Sequence, residues 1–555
     1  MTRYIISLCI AYFITQPLAA QQSDLLKKNL KAHISTLASD KFEGRETGTK
    51  GEKRSYQYLS SEFKKAGINP KGTKGYLQPF EFSAGTHFGK HNLLMIDQQA
   101  LQLEKEYFPL PYSAYKSQAT GIAVDVGCGM VATDLHRNDY EKIDDLKGKI
   151  AVMDFATPEA DNPHSKWAEY TDLRKRLETA AEKGASAVVL YNSNSQLDNP
   201  SKNSINKITP LNIPVIFVTN PQLPKLAQNK TITIKTDIEK NMLTGNNVIG
   251  YVDNQREYTI VIGAHYDHLG YGGHESLYRG EKAIHNGADD NASGTAALIE
   301  IARRIKNSNL KNYNYLFIAF SGEEKGLLGS AYFTKHPTID QSKVNYMLNM
   351  DMVGRLKQND QVLLINGAGT SPEWKALLTE PADSSLRIKT TESGIGPSDH
   401  TSFYLSNIPA LHFFSGTHAD YHKPSDDEPL INYDGMERII NYMFGLIEKT
   451  NTMPKLAFAK TNDASNDDAP RFKVTLGVVP DYTYEGNGMR IDGVTEGKPA
   501  SHAGLLKGDI VIQLGDEKVA DMMSYMKALS KFKKGQTTKV KVIRDKTELE
   551  KEVTF

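Results

Sequence analysis

Between residues 258 and 422 the chain repeats one pattern: a short apolar run, then a polar segment carrying Asp, Glu or His. Residues 258–264 run into His265-Tyr266-Asp267, 315–320 into Ser321-Gly322-Glu323-Glu324, and 346–350 into Asp351. Residues 409–414 precede Asp420-Tyr421-His422, and 362–365 form one more apolar run. Near-continuous apolar runs of this length are expected for strands covered on both faces. Leu298, Ile301, Ala302 and Ile305 recur at helical spacing, with Gly287-Ala288-Asp289-Asp290-Asn291-Ala292-Ser293-Gly294 opening that helix. Strands alternating with helices predict an α/β fold with helices on both faces of the sheet. Sites in open α/β sheets form beyond the carboxyl ends of the strands, where these polar segments fall.

The rest of the chain divides around this stretch. Residues 21–114 open with a helical pattern (Leu25, Leu26, Leu30, Ile34), pass through a turn-rich loop at 42–48, and continue into a second helix with Tyr56, Leu59 and Phe63 on one face and Gly67 at its end. Residues 115–238 read as a separate small α/β unit, with strands at 150–153, 187–191 and 213–218 and a helix at 173–183. Residues 239–455 carry the pattern described above, 456–470 are polar and linker-like, and 471–555 contain short strands and one helix.

Arg3, the apolar residues 4–14 and Pro17-Leu18-Ala19-Ala20 have the layout of a secretory signal, so residues 1–20 are expected to be removed on export to the periplasm or beyond. The apolar run is shorter than the roughly 20 residues that span a bilayer, so no membrane span is expected after signal removal. Lysine plus arginine equals aspartate plus glutamate at 66 each, which gives no electrostatic case for nucleic acid. With Cys9 in the signal, Cys128 is alone, and a disulfide or thiolate metal site is excluded.

Imidazoles and carboxylates without thiolates suit zinc, with manganese or cobalt as alternatives. One carboxylate has two oxygens and can bridge a pair of divalent ions. His265 and Asp267 stand two apart, so Asp267 is expected to hold the imidazole in its ligating tautomer. Glu323 and Glu324 are neighbours at a strand end, so one can face a metal and the other a water as general base.

These segments resemble the di-zinc exopeptidases related to bacterial leucyl aminopeptidase and to glutamate carboxypeptidase, over about 24–110 and 240–450. The resemblance implies a mixed sheet with helices on both faces and two Zn2+ ions. It makes His265, Asp290, Glu324, Asp351 and His422 the metal ligands, with Asp290 bridging, His265 and Asp351 on one zinc, and Glu324 and His422 on the other. It makes Glu323 the general base and Tyr421 a donor to the oxyanion. Asp290 rather than Asp289 fits the pattern, because it stands directly before Asn-Ala-Ser-Gly. Asp399-His400 resembles a segment near the substrate, with a loop-tying role as the alternative. His268 and His285 flank the motifs and are expected to line the pocket without being assigned as ligands; His412 reads as a core histidine and His418 as loop structure.

Residues 115–238 resemble the protease-associated domain. Residues 471–555 resemble a PDZ domain, with Thr475-Leu476-Gly477-Val478-Val479 as the carboxylate-binding loop, which implies binding of a peptide C-terminus as an added strand. The expected activity is removal of N-terminal residues from peptide substrates. A carboxypeptidase or glutaminyl cyclase on the same fold is one alternative, and a non-catalytic peptide or protein-binding receptor is another.

Overall fold

In the computed structural model, the structure describes residues 21–555 apart from 144, 160–164, 168–169, 203–208, 221–228, 274, 279, 382–385, 462–473, 481–483, 485, 495–497, 521–523, 526–527, 530 and 534. The signal-like segment, most of the linker and Thr495-Glu496-Gly497 of the PDZ-like motif lie outside the described residues. Two compact units form. One holds the chain up to Phe82, Thr244–Lys533 and Thr538–Phe555; the other holds Ser83–Leu243 with Lys534–Thr537.

The first unit is built on a mixed sheet. Its strands are β1 (Thr231–Val252, by its C-terminal half), β2 (Thr259–His265), β3 (Asn314–Phe320), β4 (Val344–Met350), β5 (Val362–Asn366), β6 (Arg387–Thr391) and β7 (Ala410–Phe414). They lie in the order β6-β5-β7-β4-β2-β3-β1. The inner four, β7, β4, β2 and β3, are parallel, while β1 and β5 join them antiparallel. From β2 the chain passes first to β3 on one side and later to β4 on the other. Connections that diverge in this way open a crevice at the carboxyl end of the strand between them. His265 is the last residue of that strand and pairs with Phe320, the last of β3.

Every residue of β2, β3 and β4 is buried, as near-continuous apolar runs require. Alternate side chains go to opposite faces. Ile260, Ile262, Phe317, Leu348 and Leu411 pack with helices α1 (Lys50–Lys65), α2 (Gly294–Lys306) and α5 (Tyr433–Thr450) through Leu59, Phe63, Leu298, Ile301 and Ile439. Val261, Leu316, Ile318, Met347 and Ala410 pack on the other face with Phe333 of α3 (Leu328–Lys335) and Phe403 of α4 (His400–Tyr404). The helical face read from Leu298, Ile301, Ala302 and Ile305 is fully buried. Each large aliphatic side chain placed there contributes roughly 1.5–3 kcal/mol. α2 starts earlier than its apolar period suggests, at Gly294, because an irregular turn, Ala288–Ser293, leads into it.

The C-terminal part of this unit has its own core of Leu476, Ile491, Leu505, Val511, Val540 and Val542, within a small sheet that includes Val478–Pro480, Met489–Val494 and Ile510–Leu514. Asp509, fully buried, is paired with Arg544 at 2.6 Å.

The second unit contains parallel strands Lys116–Asp125, Ile150–Asp154, Ala187–Tyr191 and Val215–Val218. Helix Leu173–Glu182 covers one face through Leu177 and Ala180. Tyr107–Pro109 joins this sheet antiparallel to Val215–Val218, so the compact unit reaches further towards the N-terminus than residue 115. Among the described residues no helix is long and apolar enough to cross a membrane.

Candidate metal centre

Four polar segments leave the carboxyl ends of β2, β3, β4 and β7, and the turn before α2 supplies a fifth. They bring two imidazoles and four carboxylates together. His265 Nε2 lies 3.4 Å from Asp290 Oδ1 and 3.2 Å from Asp351 Oδ1. His422 Nε2 lies 3.2 Å from Asp290 Oδ2 and 3.2 Å from Glu324 Oε2. Asp290 therefore presents one oxygen to each imidazole.

These separations test whether a metal fits. Tetrahedral zinc with bonds of about 2.0–2.1 Å places its ligand atoms roughly 3.3–3.4 Å apart. Two sets of nitrogen and oxygen atoms at 3.2–3.4 Å, sharing one carboxylate, match two such ions side by side. Glu323 Oε2 stands further back, 3.9 Å from His265 Nε2.

The surroundings explain why the ligand-like atoms point inward. Asp426 Oδ2 accepts hydrogen bonds from the backbone N–H of both Asp289 and Asp290, each at 3.0 Å. Asn291 donates to Met350 O at 2.9 Å and accepts from Gly294 N, which ties the turn to the end of β4 beside Asp351. Asp289 is turned away: its Oδ1 accepts from Gly354 N at 2.6 Å and Ser293 Oγ at 2.9 Å, and its Oδ2 is 3.2 Å from His418 Nε2. Of the two neighbouring aspartates, only Asp290 faces the imidazoles.

Asp267 departs from the expectation drawn from strand alternation. β2 ends at His265, so Asp267 lies past the regular strand. The His265 Nδ1–H instead meets the backbone carbonyl of Asp267 at 3.2 Å, with the carboxylate oxygen at 3.8 Å. That carboxylate accepts from Thr47 Oγ1 at 3.0 Å and from the backbone N–H of Glu323 at 3.2 Å. Asp267 thus fixes the segment that carries Glu323, while its main chain holds the imidazole.

Burial in a crowd of carboxylates sets the charges. Burial alone would lower His265, but Asp351, Glu323 and Asp290 hold it well above the ordinary imidazole value. His422 is raised in the same way by Glu324 and Asp290. Burial, with the Asp351 and Glu324 charges, pushes Glu323 well above the usual carboxylate range. Glu324, though buried, is held well below it by His422 and His268. Tyr421 stacks on the His422 ring at 3.9 Å, and burial beside Asp290 and Glu324 keeps its hydroxyl protonated.

Several residues of the centre escaped the sequence reading. Arg45 is fully buried and donates to the carbonyls of Leu37, Tyr266, Asn286 and Gly287, which joins the ends of β2 and of the Asp290 turn. Burial lowers its guanidinium to about 10 despite the nearby aspartates. Its loop is pressed against the site: a Cβ on Gly44, at φ +64°, would lie 2.4 Å from Gly270 O. The only signal was an Arg within a turn-rich loop, which carries no chemistry by itself. Asp426 gave no signal beyond its residue type, whereas His268 was visible as a neighbour of the first motif and does reach the centre, at Glu324. Asp399 and His400 are buried, and burial raises Asp399 to about 7. His412 is buried with Nδ1 3.1 Å from Asn366 Nδ2, and burial lowers it to about 4. His285 is held by Ser276 Oγ at 2.7 Å.

A crevice at the carboxyl edge of a mixed sheet thus gathers imidazoles and carboxylates spaced as a metal centre would need. Residues 247–447 match peptidase family M28, residues 119–226 match the PA domain and residues 469–555 the PDZ domain. The chain thus carries a family M28 metallopeptidase domain, an inserted PA domain and a C-terminal PDZ domain. It is 28% identical over 345 residues to aminopeptidase YwaD of Bacillus subtilis, a match covering 58% of this chain and 68% of that protein. It is 32% identical over 195 residues to a probable leucine aminopeptidase of Arthroderma otae, covering 32% of this chain and 50% of that one. The chain therefore spans about half the length of this fungal relative. A solved aminopeptidase from Aneurinibacillus sp. strain AM-1 is similar at 23% identity with a TM-score of 0.43, over 78% of this chain and 95% of that one.

Proposed function

We propose that the protein is a di-zinc aminopeptidase that removes N-terminal residues from peptides. The observation that carries this reading is the Asp290 carboxylate, with one oxygen 3.4 Å from His265 Nε2 and the other 3.2 Å from His422 Nε2, inside a family M28 domain. His265, Asp351 and Asp290 would hold one zinc ion, and His422, Glu324 and Asp290 the other. When bound, the pair would acidify a water and polarise the scissile carbonyl. Glu323 takes the proton from that water and returns it to the leaving amine. Asp267 keeps Glu323 in place through its backbone N–H, and the protonated Tyr421 hydroxyl donates to the carbonyl oxygen as charge develops there. The relatives named above are aminopeptidases, which favours this reading over a carboxypeptidase, a cyclase or a receptor.

The test uses aminoacyl-anilides. Dialysis against a chelator is expected to abolish release of the anilide, and zinc or cobalt to restore it. A substrate acetylated on its α-amine is expected to turn over at least ~100-fold more slowly, because an effect of that size corresponds to about 2.7 kcal/mol of lost interaction in the transition state. Equal hydrolysis of free and acetylated substrates would exclude an exopeptidase acting at the N-terminus.

Export with removal of residues 1–20 belongs to the same reading, supported by the charge and apolar pattern of that segment. N-terminal sequencing of the secreted or periplasmic protein tests it. Domain limits at 21–114, 115–238, 239–455 and 471–555 are part of the proposal; the matched segments 119–226, 247–447 and 469–555 fall within or close to the last three, and no match covers the first. Docking of a peptide C-terminus beside strand Val478–Pro480, an end strand of its sheet, is part of the proposal; a fluorescent peptide library scored for a free C-terminus tests it.

A further inference from the structure

The sequence His265-Tyr266-Asp267-His268 places a second imidazole three residues after the first. His268 is buried, with Nδ1 2.6 Å from Glu324 Oε1 and 3.9 Å from Asp290 Oδ2. Its residue types and position would also suit a metal ligand: His268, Asp290 and Glu324 offer atoms within 4.8 Å of one another. The distances decide between the two roles. Atoms on one tetrahedral zinc stand roughly 3.3–3.4 Å apart. A separation of 2.6 Å is a charge-assisted hydrogen bond, and 3.9 Å is wider than a shared ligand edge.

We infer that His268 is a positioning residue for the second metal: its Nδ1–H occupies Glu324 Oε1 and leaves Oε2 alone to coordinate beside His422 and Asp290. This rests on the di-zinc reading above. Glu324 is gripped by two imidazoles, one at each oxygen. A free carboxylate can bind through both oxygens; with Oε1 engaged it binds through one and leaves a coordination position open. An open position is what a catalytic metal needs for water or substrate. The His268 ring is itself fixed. It sits edge-on to the His422 ring at 5.8 Å and lies against Gly287, where a Cβ would come within 2.5 Å of its Cδ2. Gly287, at φ +55°, is therefore required twice, for the turn before Asp290 and for the room that His268 occupies.

Removing a hydrogen-bond partner of a metal ligand typically costs 10–100-fold in metal affinity. Zinc binding to the full-length protein is measured by competition with a chromophoric chelator, with zinc content by atomic emission. His268→Ala is expected to lose 10–100-fold in affinity at one site only. The other site, built on His265 and Asp351, reports that the fold is intact. His268→Asn supplies an amide N–H where Nδ1 stands and is expected to recover affinity to within about threefold of wild type; an Asn offers no imidazole, so a true ligand would not be rescued. Unchanged affinity in His268→Ala, loss of both sites, or equal loss in Ala and Asn variants would each overturn the inference. A wild-type protein that binds fewer than two ions would instead overturn the di-zinc reading on which it stands.

Discussion

Glu323→Gln is expected to lower kcat on an aminoacyl-anilide by about 10²–10⁴-fold while the protein keeps its full metal content and a near-normal KM. The substitution preserves size and the backbone bond from residue 323 to Asp267 Oδ1, so the segment stays where it is. What is lost is the ability to take and return a proton. The wild-type carboxyl is buried near Asp351 and Glu324, which push its proton affinity well above that of an ordinary glutamate. Steady-state kinetics with parallel metal analysis checks the result. Turnover near wild type in a fully metallated variant would remove Glu323 from the chemistry.

Asp290→Asn is expected to have a larger effect, because Asp290 alone faces both imidazoles. A neutral amide replaces an anion whose two oxygens stand 3.4 Å and 3.2 Å from His265 and His422. Metal content is expected to fall from two ions to one or fewer, and turnover by more than the roughly 10⁴-fold upper range of a missing general base. The turn itself should survive, since Asp426, Asn291 and Asp289 hold it through bonds that do not involve the Asp290 side chain. Atomic emission on the purified variant reads the first effect. A variant that retains two ions and a tenth of the activity would show that the carboxylate does not bridge. The neighbouring Asp289→Asn change touches neither imidazole and serves as the comparison.

Much of this centre was legible in the sequence because strand ends are legible. An apolar run stops where the sheet stops, and a His, Asp or Glu placed there has few structural reasons to be polar. That logic located His265, Glu323, Glu324 and Asp351 at the carboxyl edge and gave an α/β sheet with helices on both faces; that the sheet is mixed came only from the resemblance. It reached Asp290 and His422 only through a resemblance, since neither directly ends a strand. What it missed are residues that act through the main chain of others. Arg45 touches four carbonyls and no carboxylate, so nothing in its neighbours' side chains announces it. Strand alternation makes Asp267 the partner of the His265 ring, but the strand ends at His265 and the main chain takes that contact. His268 follows the same rule in reverse: its partner Glu324 is 56 residues away, and only the folded sheet makes them neighbours.

The inward-facing groups are drawn from chain positions between 265 and 422, with Arg45, far upstream, holding the main chain at Tyr266 and Gly287 beside them. A chain still emerging, or clipped before His422, would carry the His265–Asp351 half and lack the other. On the proposed di-zinc reading, a chain cut before His422 is expected to hold at most one ion, which atomic emission on such a truncated protein checks.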